Sequence, residues 1–525
     1  MDENSVQKDD TLEGAADTRN GVKRMIFVVI SILVEVAIVY LFNVRFVRYA
    51  IWASALAHLV AAGAVLFIFG QHKTPSVKMP WIMLIMAFPV FGLTLYLLIG
   101  LNGSTRKMRL RYDEVDRQLL PLLKRGTEAE EKLEQADSTC ARLASYLKNY
   151  AGYPVYNDTA VEYYPEATLG LEAQLKDLSE AKRFIFMEYH AIEDKESFHR
   201  IEEVLVRKVQ EGVEVRLFYD DMGSIGFITT DFVKRMEEKG IRCRVFNPFA
   251  PGLNVFLNNR DHRKITVIDG KVGFTGGYNI ANEYFNLTHP FGYWKDTGIR
   301  LEGPAVRSLT VTFLEMWNAV SEDDVNDADP QQYLPEVPAN PAAEGFVQPY
   351  ADSPMDEEHV GENVYISIAE GAQHYAWFIT PYLIITDEMT HALGLAAKRG
   401  VDVRVITPGI PDKKLIYSVT RSYYAGLARN GVRIFEYTPG FCHCKMSVSD
   451  DCVATNGTIN MDYRSFFHHF ENGCVMYGNR AVADTRKDFE AIMAESEEVT
   501  ETYRSGRSSM MRFGQLLLRL AAPLM

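Results

Sequence analysis

The sequence predicts an α/β protein in which two similar halves, related by pseudo-twofold symmetry, share one active site behind a set of N-terminal transmembrane helices. Three observations lead there. A histidine–lysine–aspartate pattern occurs twice with the same spacing, a strand–helix–strand order surrounds each copy, and three apolar runs lie within residues 25–101.

Residues 1–24 are polar and mostly acidic, and predict a disordered tail. The apolar runs are Met25–Phe42, Tyr49–Gly70 and Trp81–Leu101, each long enough to cross about 30 Å of hydrocarbon. The length of the first run and its acidic leader argue against a cleaved signal peptide. A multi-pass protein of the cell membrane is expected, with two or three helices; two spans plus one re-entrant segment also fit. Glu35, inside the first run, calls for a buried partner or a proton. Arg106, Lys107, Arg109 and Arg111 follow the third run and favour a cytoplasmic catalytic part by the positive-inside rule.

Residues 102–150 read as a helical connector lying against the membrane surface, interrupted by Pro121. The first α/β half spans 151–322. Within it RFIFMEYHAI and VEVRLFYDD are strand-like, and SFHRIEEVLVRKVQEG between them is an amphipathic helix closed by Gly212. Residues 323–354, rich in Pro, Asp, Ala and Glu, read as a linker or surface excursion. The second half, 355–500, repeats the order with YAWFITPYLII, a helix closed by Gly400, and VDVRVITPG. Residues 501–525 end in an amphipathic tail carrying Arg512 and Arg519.

The duplicated pattern is HxKxxxxD. It places His262, Lys264 and Asp269 in the first half and His443, Lys445 and Asp450 in the second, and in each a Gly-x-x-Asn ends seventeen positions after the histidine, at Asn279 and Asn460. About 0.03 accidental matches are expected in a chain of this composition, so two matches with a shared trailing motif are not chance. KITVID and KMSVSD alternate as strands, so His and Lys share a face, while Asp269-Gly270 and Asp450-Asp451 signal turns. Both aspartates are catalytic candidates, with turn formation as the equal alternative.

An imidazole can attack phosphorus or shuttle a proton near neutral pH, and a lysine ammonium can hold a phosphate oxygen. Two such sets face to face make a phosphate clamp. One histidine can hold a covalent phosphoryl intermediate while the other protonates the leaving alkoxide. Thr458 stands where the first half has Gly277, so a hydroxyl able to bind phosphate exists on one side only.

These residues resemble the phospholipase D superfamily. Longer stretches, among them GYWKDTGIRLEGPAV, SYYAGLARNGVRIFEYTPGF and NMDYRSFFHHFENG, look like its bacterial cardiolipin synthase family. The resemblance implies two phospholipase-D-like halves that convert two phosphatidylglycerols into cardiolipin and glycerol through a phosphatidyl group held on histidine. It further implies His262 as nucleophile, His443 as acid, and Glu283 and Glu471 as carboxylates supporting the histidines. Asn279, Asn460 and Thr458 complete the set as phosphate-binding or supporting residues. Phosphatidylglycerol and other membrane phospholipids are the expected partners.

Composition narrows the rivals. A chain of 525 residues, 47% hydrophobic, has room for two or three domains with sizeable cores. Its net charge of −14 argues against nucleic acid as a partner. Cys140, Cys243, Cys442, Cys444, Cys452 and Cys474 form no disulfide framework. Cys442 and Cys444 bracket His443, yet there is no CxxC pair and a metal there would withdraw His443 from phosphate chemistry, so neither metal nor cofactor is expected. A phospholipase D, a transferase with another alcohol acceptor, and an inactive lipid-binding scaffold stay open as alternatives, as does the oligomeric state.

Overall fold

The computed structural model describes residues 51–71, 75–100, 103–123, 126–248, 259–320 and 329–505, with scattered positions between 30 and 44 and between 514 and 522. The N-terminal tail, most of the first apolar run including Glu35, and most of the amphipathic tail therefore lie outside the described residues.

Two sheets carry the molecule. The first half supplies β1 (Ala160–Tyr164), β2 (Phe184–Tyr189), β3 (Glu214–Asp220), β4 (Arg242–Phe246), the short β5 (Arg260–Asp261), β6 (Lys264–Ile268), β7 (Val272–Gly276), the short β8 (Tyr293–Lys295) and β9 (Gly298–Glu302). The second supplies β10 (Phe346–Asp352), β11 (Tyr375–Ile379), β12 (Asp402–Pro408), β13 (Arg433–Tyr437), the short β14 (Gly440–Cys442), β15 (Met446–Ser449), β16 (Val453–Gly457), β17 (His469–Tyr477) and β18 (Ser496–Glu498). The sheet orders are β1-β9-β7-β6-β2-β3-β4 and β10-β17-β16-β15-β11-β12-β13-β18. Strand for strand these are the same order, with β18 added at one edge. The senses agree too. β2, β3 and β4 run parallel, as do β11, β12 and β13, and the remaining neighbours within each repeated order are antiparallel.

The predicted strand–helix–strand units are present, with helices Glu196–Gln210 and Asp387–Lys398 as crossovers. Between the sheets runs the helix Val306–Val320, whose residues Ser308 to Ala319 are all buried. The two halves also exchange short strands: β5 pairs with β17, and β14 with β8, both parallel.

Three expectations need revision. The stretch 323–354 is not wholly a linker, because β10 forms the outer strand of the second sheet. Pro349 made it read as loop, but an edge strand tolerates a missing N–H. The connector, with helices Gly103–Leu119, Glu128–Ala136 and Ser138–Ala151, does not merely line a membrane surface: Tyr112, Leu133 and Leu147 are buried in the main core. The third apolar run is not one continuous helix. Its described residues, 81–100, fall in helices Pro75–Ala87 and Pro89–Gly100, which bend at Phe88 so sharply that a Cβ on Gly92 would lie 2.7 Å from the Cα of Ile85. Pro89 disfavours helical backbone at the residue before it.

The second run forms the helix Ile51–Phe69. Among the described residues no helix is long and apolar enough to cross a membrane, the side chains of residues 51–54 lying outside that set.

Candidate active site

His262 and Lys264 stand at the head of β6, and His443 and Lys445 at the head of β15, where the two sheets meet. Each histidine is held by the opposite half. The backbone N–H of His262 donates to the carbonyl of Phe470 (2.8 Å), and its Nδ1 lies 2.9 Å from Glu471 Oε2. Correspondingly, the N–H of His443 donates to the carbonyl of Lys295 (2.8 Å), and its Nδ1 lies 2.7 Å from Asp296 Oδ2. A carboxylate on Nδ1 fixes the tautomer that leaves the Nε2 lone pair free. All four groups are buried.

The electrostatics tie the pairs into one site. Burial, then the charges of Lys264, Lys445 and His443, hold His262 well below the ordinary histidine value. Burial, then Lys445 and Lys264, does the same to His443. Both lysines are pushed down, Lys264 to about 7 and Lys445 to about 8, mainly by burial. Burial pushes Asp296 up to about 7 against the pull of Lys445. Lys264 Nζ donates to the carbonyl of His262 (2.6 Å), and Lys445 Nζ lies 2.9 Å from His443 Nε2. An anion entering here meets two ammonium groups and two neutral imidazoles, the composition of a phosphoryl-transfer site without reliance on solvent for charge.

Asp269 and Asp450 are elsewhere. Each ends its motif strand in left-handed backbone, with φ of 55° and 50°. The carboxylate of Asp269 accepts the N–H groups of Lys182, Arg183 and Phe184 at 2.7–3.0 Å, and that of Asp450 accepts those of Gln373, His374 and Tyr375 at 2.6–2.9 Å. At about 3.3 Å per strand residue, the seven positions that separate each from its histidine span up to roughly 23 Å. They pin the entry to β2 and β11 and do not reach the clamp.

The supporting residues divide as well. Glu283 lies in the short helix Asn282–Phe285 and is not the carboxylate partner of His443; Asp296 is. The hydroxyl of Thr458 is turned to Glu471 and the carbonyl of Asn472, so it props the carboxylate instead of offering itself to phosphate. Gly277 at the equivalent place has the opposite function: a Cβ there would lie 2.1 Å from Asp296 Oδ1. Asn279 spends its amide on the N–H of Ala191 and the hydroxyl of Tyr284, whereas Asn460 Oδ1 is buried without a partner.

Other residues at the site went unread in the sequence. Arg263, fully buried between His262 and Lys264, donates to the carbonyl of Thr312 and to the hydroxyl of Tyr112 on the connector helix (2.8 Å). His190 and His469 flank His262, with ring centroids 4.9 and 5.3 Å away. His443 faces Tyr284, Trp294 and Phe441 instead. The signal for Asp296 was an acid two places before a glycine that an apolar stretch follows, shared by Asp296-Thr297-Gly298 and Glu471-Asn472-Gly473. Cys442 and Cys444 contact each other, Sγ to Sγ 3.8 Å, rather than the imidazole between them. The described groupings able to hold a metal are His262–His469–Glu471 and Asp137–Cys140–Cys452.

Comparison with known proteins agrees with this architecture. A family model described as cardiolipin synthase, PLD-like domain, matches residues 175–317 and 365–493, and one described as phospholipase D-nuclease N-terminal matches residues 50–100. An uncharacterised protein of Streptococcus mutans is 40% identical over 463 residues, 88% of this chain and 100% of the relative. Cardiolipin synthase 1 of Bacillus cereus is 30% identical over 510 residues, 95% of this chain and 98% of the relative. Among solved structures, phosphatidylserine synthase of Haemophilus influenzae superposes with a TM-score of 0.54 at 16% identity, covering 74% of this chain and 98% of its own, a likeness of fold.

Proposed function

The chain belongs to the cardiolipin synthase family of phospholipase-D-like enzymes and is a phosphatidyltransferase of that type, and from that premise we propose that it moves a phosphatidyl group from one phosphatidylglycerol to the glycerol hydroxyl of another. The observation that carries the site assignment is the exchange of carboxylates between halves, which orients two imidazoles toward one clamp of two lysines.

In the first step His262 Nε2 attacks phosphorus, a P–N bond forms, and the P–O bond to glycerol breaks. His443 delivers its proton to the departing alkoxide. The negative phosphodiester offsets Lys264 and Lys445, which lets His443 carry that proton, and Asp296 on its Nδ1 stabilises the imidazolium. In the second step the hydroxyl of another phosphatidylglycerol gives its proton to His443 and attacks phosphorus, and the P–N bond breaks. Two phosphatidylglycerols become cardiolipin and glycerol, and both histidines return to their starting state. Asp269 and Asp450 act in this scheme as architectural residues.

Membrane attachment follows from the same reading. Leu59, Leu66, Phe67 and Phe69 of the second apolar run are 61–72% exposed, a surface suited to lipid rather than water. The bent pair Pro75–Ala87 and Pro89–Gly100 suits a re-entrant segment. The basic cluster after residue 101 supports a catalytic part on the cytoplasmic side.

The test is incubation of the purified protein in detergent with labelled phosphatidylglycerol and no added metal. Cardiolipin with equimolar glycerol is expected. Phosphatidic acid in its place would make water the acceptor, and unchanged substrate would overturn the assignment.

A further inference from the structure

A third histidine stands beside the His262–Glu471 pair, and the transfer chemistry does not use it. His469 opens β17 two positions before Glu471, so both side chains leave the strand on one face. Its Nδ1 lies 3.4 Å from Glu471 Oε1, yet neither ring nitrogen has a hydrogen-bond partner although the residue is only 8% exposed. An imidazole buried to that degree normally satisfies at least one nitrogen. Here the ring's one lone pair is left for something else.

We propose that His262, His469 and Glu471 bind a divalent transition metal of the zinc type, and that the bound metal inhibits phosphatidyl transfer. Two histidines and a glutamate form a donor set that zinc accepts with one coordination position left open. Imidazole with a single carboxylate selects zinc, copper or nickel over magnesium and calcium, which prefer oxygen. The donor atoms lie within 4.8 Å of one another. Tetrahedral bonds of 2.0–2.1 Å place donors about 3.3 Å apart, and the observed 2.9 Å from His262 Nδ1 to Glu471 and 3.4 Å from His469 to Glu471 bracket that spacing. Small side-chain rotations close the set.

Inhibition follows from the tautomer. A metal on His262 Nδ1 takes the place of the proton shared with Glu471, and that proton moves to Nε2, so the ring stays neutral. Nε2 then carries N–H where its lone pair would have met phosphorus. The metal site itself does not depend on the function proposed above; its inhibitory effect rests on His262 being the nucleophile.

The test uses the full chain in detergent, with zinc titrated against a chromophoric chelator, cobalt substituted for spectroscopy, and transfer from phosphatidylglycerol followed in parallel. One zinc per chain is expected, bound roughly tenfold or more weakly in His469→Asn and in Glu471→Gln, and unchanged in Cys140→Ser. Cobalt should give a spectrum without thiolate charge transfer, since Asp137–Cys140–Cys452 is the other grouping able to bind. Zinc should suppress turnover reversibly on chelation, with His469→Asn needing at least about tenfold more metal for the same fractional loss. Absence of binding in the wild-type chain, equal affinity in both site variants, or a thiolate spectrum overturns the metal site and leaves the transferase reading untouched. Stoichiometric binding at this set without loss of turnover overturns the inhibitory effect and His262 as nucleophile together.

Discussion

His262 and His443 occupy equivalent places in two sheets of the same strand order, yet their surroundings differ. His262 has a glutamate steadied by the Thr458 hydroxyl and two neighbouring histidines. His443 has a shorter aspartate that presses on Gly277, a lysine against its ring, and a wall of Tyr284, Trp294 and Phe441. A duplicated backbone thus keeps the geometry of the clamp while the side chains around it set two different acid–base environments. In the proposed mechanism that difference separates the imidazole that bonds to phosphorus from the one that handles protons.

The largest test of this division is removal of either ring. His262→Asn and His443→Asn should each cut turnover of phosphatidylglycerol about 10,000-fold. They should then separate on a phosphodiester with an activated leaving group that needs no proton: His443→Asn recovers its first step, His262→Asn does not. Reversal of that pattern in a single-turnover assay exchanges the two assignments.

Next come the residues behind the rings. Asp296→Asn and Glu471→Gln should lower kcat about 100-fold each with the protein still folded. Gly277→Ala should match Asp296→Asn, because its Cβ would lie 2.1 Å from the carboxylate. Thr458→Val should cost only about tenfold, the value of one hydrogen bond to a charged group. Equal losses in Gly277→Ala and Thr458→Val, measured by steady-state kinetics, would erase the contrast between the halves.

Acidity gives a smaller effect. Lys264 and Lys445 sit near 7 and 8 in the free site, below the ordinary lysine value, so they lose their charge as pH rises through that window. kcat/KM should therefore fall above about pH 7–8, while kcat holds further into alkali because bound phosphate keeps the lysines protonated. On the acid side His262 lies well below 6.5, so the neutral form its attack requires persists and the acid limb falls below that value. A kcat/KM profile level to about pH 9 would contradict the buried lysines.

The smallest effect on chemistry belongs to the motif aspartates. Asp269→Ala or Asp450→Ala removes an acceptor of three N–H groups and should cost about 2–3 kcal/mol of stability. Activity per folded molecule should change less than about threefold, since neither touches the clamp. Denaturant melts alongside active-site titration separate the two quantities.

The positions of His262, Lys264, His443 and Lys445 were legible because strand alternation is a local property: residues two apart share a face whatever the tertiary context. Asp269 and Asp450 were legible as turns for the same reason. Asp296 went unread, since it serves a histidine 147 residues away and its local signal, an acid two places before a glycine, is too short to stand out alone. Glu283 was carried by resemblance and fails on register, because the carboxylate position is fixed by the pairing of Gly276 with Gly298, equivalent to that of Gly457 with Gly473. The bend at Phe88 escaped a reading that counted apolar residues, although Pro89 marked it locally.

The crossing of carboxylates between halves also sets when the enzyme first exists. Glu471 lies 209 residues after the histidine it serves. At ribosomal rates of roughly 5–20 residues per second, about 10–40 s separate their synthesis. A nascent chain that has already made its first histidine and lysine still lacks the group that orients them. In the proposed mechanism the oriented nucleophile therefore forms only when the second half has been translated and docked.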